Sequence, residues 1–106
     1  MHKYLIQAYY TAAGMKGILA KGGTSRREAV EKMLADVGGT LESFHFAFGF
    51  ADAFVIVDVP DNITAAAVGI MVGASGMTTA QTIVLLTPEE IDRAAAVKAT
   101  YVPPGK

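Results

Sequence analysis

Few side chains in this 106-residue chain are suited to chemistry: His45, Asp52, and the tyrosines near the ends of an apolar N-terminal segment, Tyr4 and Tyr10. His45 sits in Leu41-Glu42-Ser43-Phe44-His45-Phe46-Ala47-Phe48-Gly49-Phe50, with small Ala47 and Gly49 on its own side of the alternation. Small neighbours beside an imidazole leave room for a ligand or for a closely packed helix. A neutral imidazole can also give or take a proton near neutral pH. Two readings stay open: a histidine hydrogen-bonded inside the fold or at a subunit interface, and a pocket-lining contact or proton-transfer group. Asp52, at an expected turn between Ala51 and Ala53, is suited to accept backbone N–H groups. As a catalytic carboxylate it would orient His45, which requires the two to converge. His45 and Asp52 are therefore the candidate catalytic pair, and Tyr4, Tyr10, Phe46 and Phe48 are candidates for shaping a ligand site.

Phe44, Phe46, Phe48 and Phe50 recur with a period of two, which on one extended strand places all four rings on one face. Such a surface serves as core or subunit interface in one reading and as an aromatic platform in the other. Lys16, Arg26 and Arg27 could meet an anion near a helix start, or simply line a solvated helix face. Gly14-Met15-Lys16-Gly17 lacks the spacing and the final hydroxyl of a phosphate loop. With no cysteine, and only His2 and His45 as imidazoles, no metal-ligand spacing emerges. Neither a metal nor a cofactor is expected.

The elements that must position these residues follow from periodicity and punctuation. Residues 3–10 (Lys-Tyr-Leu-Ile-Gln-Ala-Tyr-Tyr) read as a strand. Met15 to Lys21 is a short, weakly periodic segment stopped by Gly22-Gly23. A stronger helix is predicted from Ser25-Arg26-Arg27-Glu28, a capping-box pattern, with Val30, Met33, Leu34 and Val37 at helical spacing and Gly38-Gly39 as its stop. The phenylalanine segment and Ala53 to Val59 are two strands joined through Gly49 to Asp52. Ile63 to Ala74 is helical after Pro60-Asp61-Asn62, and its Gly69 and Gly73 permit close backbone approach. Met77 to Leu86 is a fourth strand. Thr87-Pro88-Glu89-Glu90 opens a last helix running to about Ala99, followed by a tail through Lys106.

This order, βαββαβ with an added C-terminal helix, predicts an α+β, ferredoxin-like domain occupying residues 1–106. Its four-stranded antiparallel sheet carries helices on one face. The strands are apolar on both faces: Tyr4, Ile6, Ala8 and Tyr10 oppose Leu5, Gln7 and Tyr9, while Val55, Val57 and Val59 oppose Phe54 and Ile56. A sheet apolar on both sides needs two covers, and the simplest second cover is another copy's sheet. Composition points the same way, since 52% of residues are hydrophobic and only 18% charged, while a chain of this size buries only about two thirds of its surface. A homodimer or higher oligomer is the expected partner.

The net charge of −1 supplies no field for phosphates, so nucleic acid is not expected as a partner. Residues 62 to 88 carry no charge before Glu89, but Gly73-Ala74-Ser75-Gly76 breaks the run. The hydroxyl-rich Met77-Thr78-Thr79-Ala80-Gln81-Thr82 suits a strand better than lipid, so a buried helix and a buried strand are predicted there rather than a membrane span. The N-terminus has no apolar stretch of signal-peptide length. With the absence of cysteine, this suggests the cytoplasm.

The residues Tyr10-Thr11 with Gly14 and Lys16, Ser25-Arg26-Arg27-Glu28-Ala29-Val30, Gly38-Gly39 with Leu41-Glu42-Ser43-Phe44, Asp52-Ala53, Val55-Ile56-Val57, Pro60-Asp61, Gly73-Ala74-Ser75-Gly76 and Thr87-Pro88-Glu89-Glu90 resemble, in that order, the GYD domain family of the dimeric α/β-barrel superfamily. The resemblance runs from Tyr4 to about Ala95. It implies ferredoxin-like subunits pairing sheet to sheet as a dimeric α/β barrel, and a superfamily in which cofactor-independent enzymes use the cleft between sheet and helices. The signature glycine-tyrosine-aspartate stands here as Gly49-Phe50-Ala51-Asp52. Ala51 therefore replaces the tyrosine, and His45, Phe46 and Phe50 replace residues expected as tyrosine, tryptophan or acid. Ala51 joins the candidate ligand-binding residues on this ground: the change either opens a cavity near His45 and Asp52 or is filled by neighbouring phenylalanines. The expected function is a small-molecule-binding homo-oligomer, in its sharper form a cofactor-independent enzyme acting on an apolar or aromatic substrate in a cleft near His45. The alternative is a non-catalytic assembly protein whose phenylalanine strand is only the subunit interface.

Overall fold

Two β-rich strands hold the centre of the molecule. In the computed structural model, which describes residues 1–105, β1 (His2–Tyr10) pairs antiparallel with β3 (Ala53–Val59) and with β4 (Thr78–Leu85), and β2 (Thr40–Phe46) closes the other edge. The strand order is β2-β3-β1-β4. Helix α1 (Ala12–Asp36) connects β1 to β2, α2 (Asn62–Ala74) connects β3 to β4, and α3 (Pro88–Ala95) follows the sheet. The chain is an α+β, ferredoxin-like βαββαβ fold with a C-terminal helix.

Register and alternation assign each strand residue to a face. Tyr4, Ile6 and Ala8 lie across from Val57, Val55 and Ala53, and these positions form the core with Leu34 of α1 and Ala65 and Val68 of α2. Leu5, Gln7, Phe54 and Ile56 share the other face, which no helix covers, and all four are half-buried. Tyr4 is enclosed, and its hydroxyl donates to Asn62 Oδ1 at 2.5 Å, which ties β1 to the start of α2. At the same end of the open face, Lys3 reaches both Glu42 and Asp58. Surface pairs of this kind add little stability individually.

Local chemistry explains the helix ends. Thr11 caps α1 by accepting from Gly14 N, Asp61 caps α2 by accepting from Thr64 N at 2.8 Å, and Thr87 with Glu90 closes a reciprocal capping box beneath Pro88. After α1, Gly38 takes φ 77°. Gly38 N then donates to Ala35 O and Gly39 N to Leu34 O, the Schellman closure for which a glycine in the left-handed region is suited.

The expected break at Gly22-Gly23 is present: Gly22 (φ 83°, ψ 175°) is non-helical and divides α1 into two helical stretches. Four other expectations are corrected. The second stretch starts at that break, so Ser25 and Glu28 stand within it rather than at its start. The phenylalanine strand ends at Phe46. A bulge between Leu41 and Ser43 shifts the alternation so that Leu41 and Phe44 both pack on the core, and residues 47–52 form the turn. The four-ring stripe therefore does not exist: Phe48 is fully exposed, and Phe50 turns to the open face, where it meets Phe54 edge-on at 5.8 Å. The stretch 62–88 is only partly buried: Ala65, Val68 and Thr78 are enclosed, but Ile63, Ile70 and Met71 of α2 and Ile83 and Val84 of edge strand β4 are exposed. Finally, the last helix ends at Ala95 rather than near Ala99. Of the expected tail, 99–105 is described and Lys106 lies outside the described residues.

The radius of gyration is 16.9 Å, against about 13 Å for a self-contained domain of this length. The molecule is elongated, with extents of 56 × 34 × 23 Å, and α3 has no buried residue while the described residues that follow it are exposed.

Candidate functional site

The concavity with the most varied chemistry lies where the C-terminal end of β1 and the first residue of β4 meet α1. Backbone packing there is unusually close. Thr11 N donates to Met77 O at 2.9 Å, and a Cβ on Gly14 would fall 2.1 Å from the same carbonyl oxygen. Only glycine lets α1 begin directly against β4. Beside this contact α1 and the sheet end border a cavity of about 310 Å³, with Gly17 and Gly22 in its lining. That volume is at the lower end of small-ligand pockets.

Its apolar wall is Ala13, Ile18, Ala29 and Met77, and its polar groups are Tyr10, Ser25, Thr78, Lys21 and Arg26. Thr78 is buried. Arg26 is partly buried, and its Nε is enclosed without a hydrogen-bond partner. Buried polar atoms are nearly always satisfied, so an orphaned guanidinium nitrogen is an atom that asks for an acceptor. No carboxylate lines this cavity.

Burial pushes the Tyr10 hydroxyl above its ordinary pKa. The Arg26 guanidinium opposes the shift, through its charge and through hydrogen bonding to the phenol, and the Asp52 charge adds to it. Tyr10 is therefore a neutral hydrogen-bond donor at physiological pH. The sign for stability follows: the folded chain holds the phenol proton more tightly than the unfolded chain, so this contribution is complete below the ordinary value and is lost as pH rises through the folded one. Lys3, raised by its hydrogen bonds to Glu42 and Asp58, acts in the same direction. Stability is expected to fall above about pH 10, and the fall is expected to be shallower in Tyr10→Phe. Urea midpoints across the alkaline range check this, and equal slopes in the two proteins would contradict it.

The candidate residues scatter. Tyr10 and Phe46 share the helix face, with ring centroids 6.3 Å apart, and Phe46 rests on Gly23 of α1 beside the cavity. Asp52 lies close by, but its carboxylate accepts from Tyr10 N at 2.9 Å while its own N–H donates to Ala8 O, so it locks the β2–β3 turn to β1. His45 is not brought to Asp52. Its register partner is Phe54, which places it on the open face near the sheet edge, exposed. His45 borders a shallow groove with Arg27, Glu31 and Glu42, where charges are already paired: Arg27 with Glu31 at 3.6 Å and Glu42 with Lys3. Tyr4 belongs to the core at the opposite end of β1, and Phe48 touches nothing that would shape a site. Lys16 and Arg27 do not line the cavity.

Residues 4–95 match the GYD domain family. The chain belongs to that family. The match covers the βαββαβ unit of this GYD domain from the third residue of β1 onward, the cavity included, and ends with α3. No curated protein and no solved structure is detectably similar to the chain. In this GYD domain Ala51 is fully enclosed and lines neither cavity described above, and the Tyr10–Phe46 and Phe44–Phe46 ring contacts occupy the same end of the helix face.

Lys21, Ser25, Met77 and Thr78 were not read as site residues from the sequence. A signal for part of them exists: Gly14, Ile18 and Lys21 fall at helical spacing on the first stretch of α1. The break at Gly22 separates them from Ser25 and Ala29, which join them only through the fold.

Proposed function

We propose that this GYD domain is a homo-oligomeric, small-molecule-binding protein of the cytoplasm, its ligand held in the cavity between α1 and the sheet end formed by Tyr10 and Thr78. The cavity itself carries the reading: it combines ligand-sized volume, an apolar wall and a few polar groups, the usual composition of a small-molecule site. The cytoplasmic placement rests on a cysteine-free chain, which is at home in a reducing compartment. On this reading Asp52 acts by holding the turn beside Tyr10, and the site needs no contribution from His45.

Pairing through the open sheet face is the oligomeric half of the proposal. Leu5, Phe54, Ile56 and Ile83 form an apolar patch there, extended by Phe50. His45 and Tyr9 stand on that face and would enter the interface. The assembly-only alternative keeps this half and drops the ligand.

Amide chemical-shift mapping with small aromatic probes such as phenol and indole separates the two. Binding in the cavity is expected to shift Ala13, Ile18, Ala29 and Met77 together. Gly17→Leu, at a position with open space beyond its Cα, is expected to reduce those shifts by narrowing the cavity while leaving the fold intact. If no probe moves these amides at millimolar concentration, the assembly-only alternative is the correct one.

A further inference from the structure

Within the proposed ligand site, the cationic side chains all lie on one wall. Lys21 and Arg26 are the charged residues lining the cavity, so the site carries two positive charges in a chain whose net charge is −1. The balance is not neutralised locally: Arg27 pairs with Glu31 outside the cavity, whereas neither Lys21 nor Arg26 forms an ion pair among the described residues. Arg26 Nε is shielded from solvent and unbonded. Leaving such a donor unmet is costly, and a charge-assisted bond to it is correspondingly strong. Tyr10 and the buried Thr78 add hydroxyl donors on the sheet side. The rest of the lining used here, Ile18 and Ala29 of α1 and Met77 beside Thr78, offers nothing a charged group could use.

We propose that this cavity selects an apolar carboxylic acid, its carboxylate on Arg26 and Lys21 with the Tyr10 hydroxyl donating to it, and its hydrocarbon or aromatic body against Ile18, Ala29 and Met77. This rests on the small-molecule reading above and names the class of ligand. Arg26 supplies a planar fork that matches a carboxylate, and Lys21 supplies a mobile point charge at the solvent side. A compact, strongly hydrated anion such as inorganic phosphate would use the cations but leave the apolar wall unmet. A neutral aromatic would use the wall and leave Arg26 Nε without an acceptor.

The test titrates the whole protein with phenylacetate, phenylacetamide and inorganic phosphate, read by calorimetry and by amide shifts. Phenylacetate is expected to bind at least about tenfold more tightly than the isosteric amide, because only the carboxylate makes charge-assisted bonds. In Arg26→Gln that preference is expected to fall to about threefold or less, and in Lys21→Gln to fall in part. Lys21 is exposed, so Lys21→Gln keeps the test informative even where Arg26→Gln unfolds the chain. Equal affinity for acid and amide, with shifts at Ile18, Ala29 and Met77, would overturn the carboxylate assignment and leave the binding site standing. Phosphate binding as tightly as phenylacetate would overturn the apolar-acid class in favour of a simple anion site. Failure of all three probes to shift those amides would remove the binding reading itself, and the carboxylate assignment with it.

Discussion

Gly14→Ala is expected to lower the thermal midpoint by roughly 10–25 °C, corresponding to about 2–4 kcal/mol in a domain of this size. The new methyl would sit 2.1 Å from the Met77 carbonyl oxygen and 3.1 Å from its carbon, and neither partner can rotate away, because both are backbone. The same carbonyl accepts from Thr11 N at 2.9 Å, and Thr11 Oγ1 donates to Gly76 O at 3.0 Å. Pushing α1 off β4 therefore breaks the cap as well as the packing. Gly17→Ala is the matched control. It lies one turn further along α1 with open space at its Cβ, and it is expected to be neutral or to stabilise by about 0.4–1 kcal/mol through reduced freedom of the unfolded chain. Melting curves followed by circular dichroism decide the matter. Equal midpoints for the two variants would mean that the α1–β4 approach is not fixed as described.

Ile56→Asp is expected to weaken self-association at least about a hundredfold, since a carboxylate buried without a partner in an apolar interface costs several kcal/mol. Ile56 lies midway along β3 on the open face, across from Leu5 on one side and Ser43 on the other. It is half-buried in the single chain, so the lone subunit is expected to tolerate the change far better than the assembly does. Ile70→Asp places the same charge on the exposed outer side of α2 and is expected to leave association unchanged. Sedimentation velocity over a concentration series reads both. A wild-type chain that sediments as a stable monomer at micromolar concentration removes the pairing proposal altogether. Loss of association in Ile70→Asp but not in Ile56→Asp would move the interface to the helices.

These two variants act on different parts of the molecule. Along β1 and β3 eight apolar residues, Tyr4, Ile6, Ala8, Tyr10, Ala53, Val55, Val57 and Val59, lie on the face covered by α1 and α2, and four, Leu5, Tyr9, Phe54 and Ile56, lie on the face that no helix covers among the described residues. Burial alternates along β3 with a period of two, from Ala53 and Val55 to Val57 and Val59, with Phe54 and Ile56 between them. That alternation follows directly from the pleat, which is why both faces of β3 could be assigned from the sequence. The helix caps were legible for a similar reason. Thr87-Pro88-Glu89-Glu90 closes its capping box over three residues, with no help from the rest of the chain.

The site was less legible because its residues are related through space. His45 and Asp52 are seven positions apart and looked like partners, but the bulge at Leu41/Ser43 and the early end of β2 at Phe46 place His45 on the open face. Asp52 turns instead to the backbone of Tyr10, forty-two positions away. A bulge carries no strong sequence signal here, because Leu41-Glu42-Ser43 alternates as well as an unbulged strand would. Only the pairing with Val57 and Ile56 reveals the extra residue.

From the sequence alone, then, came the order of elements, the division of β1 and β3 between two faces, the Gly38 and Thr87 helix signals, and the family. Each rests on interactions within about four residues or on a strict period, which are encoded locally. What the tertiary structure decided is the site. Gly14 meets Met77, Tyr10 meets Arg26, and Asp52 binds back to β1 only when the crossover α1 returns along the sheet. A cavity is the space left between elements, and no single segment of the chain specifies that space.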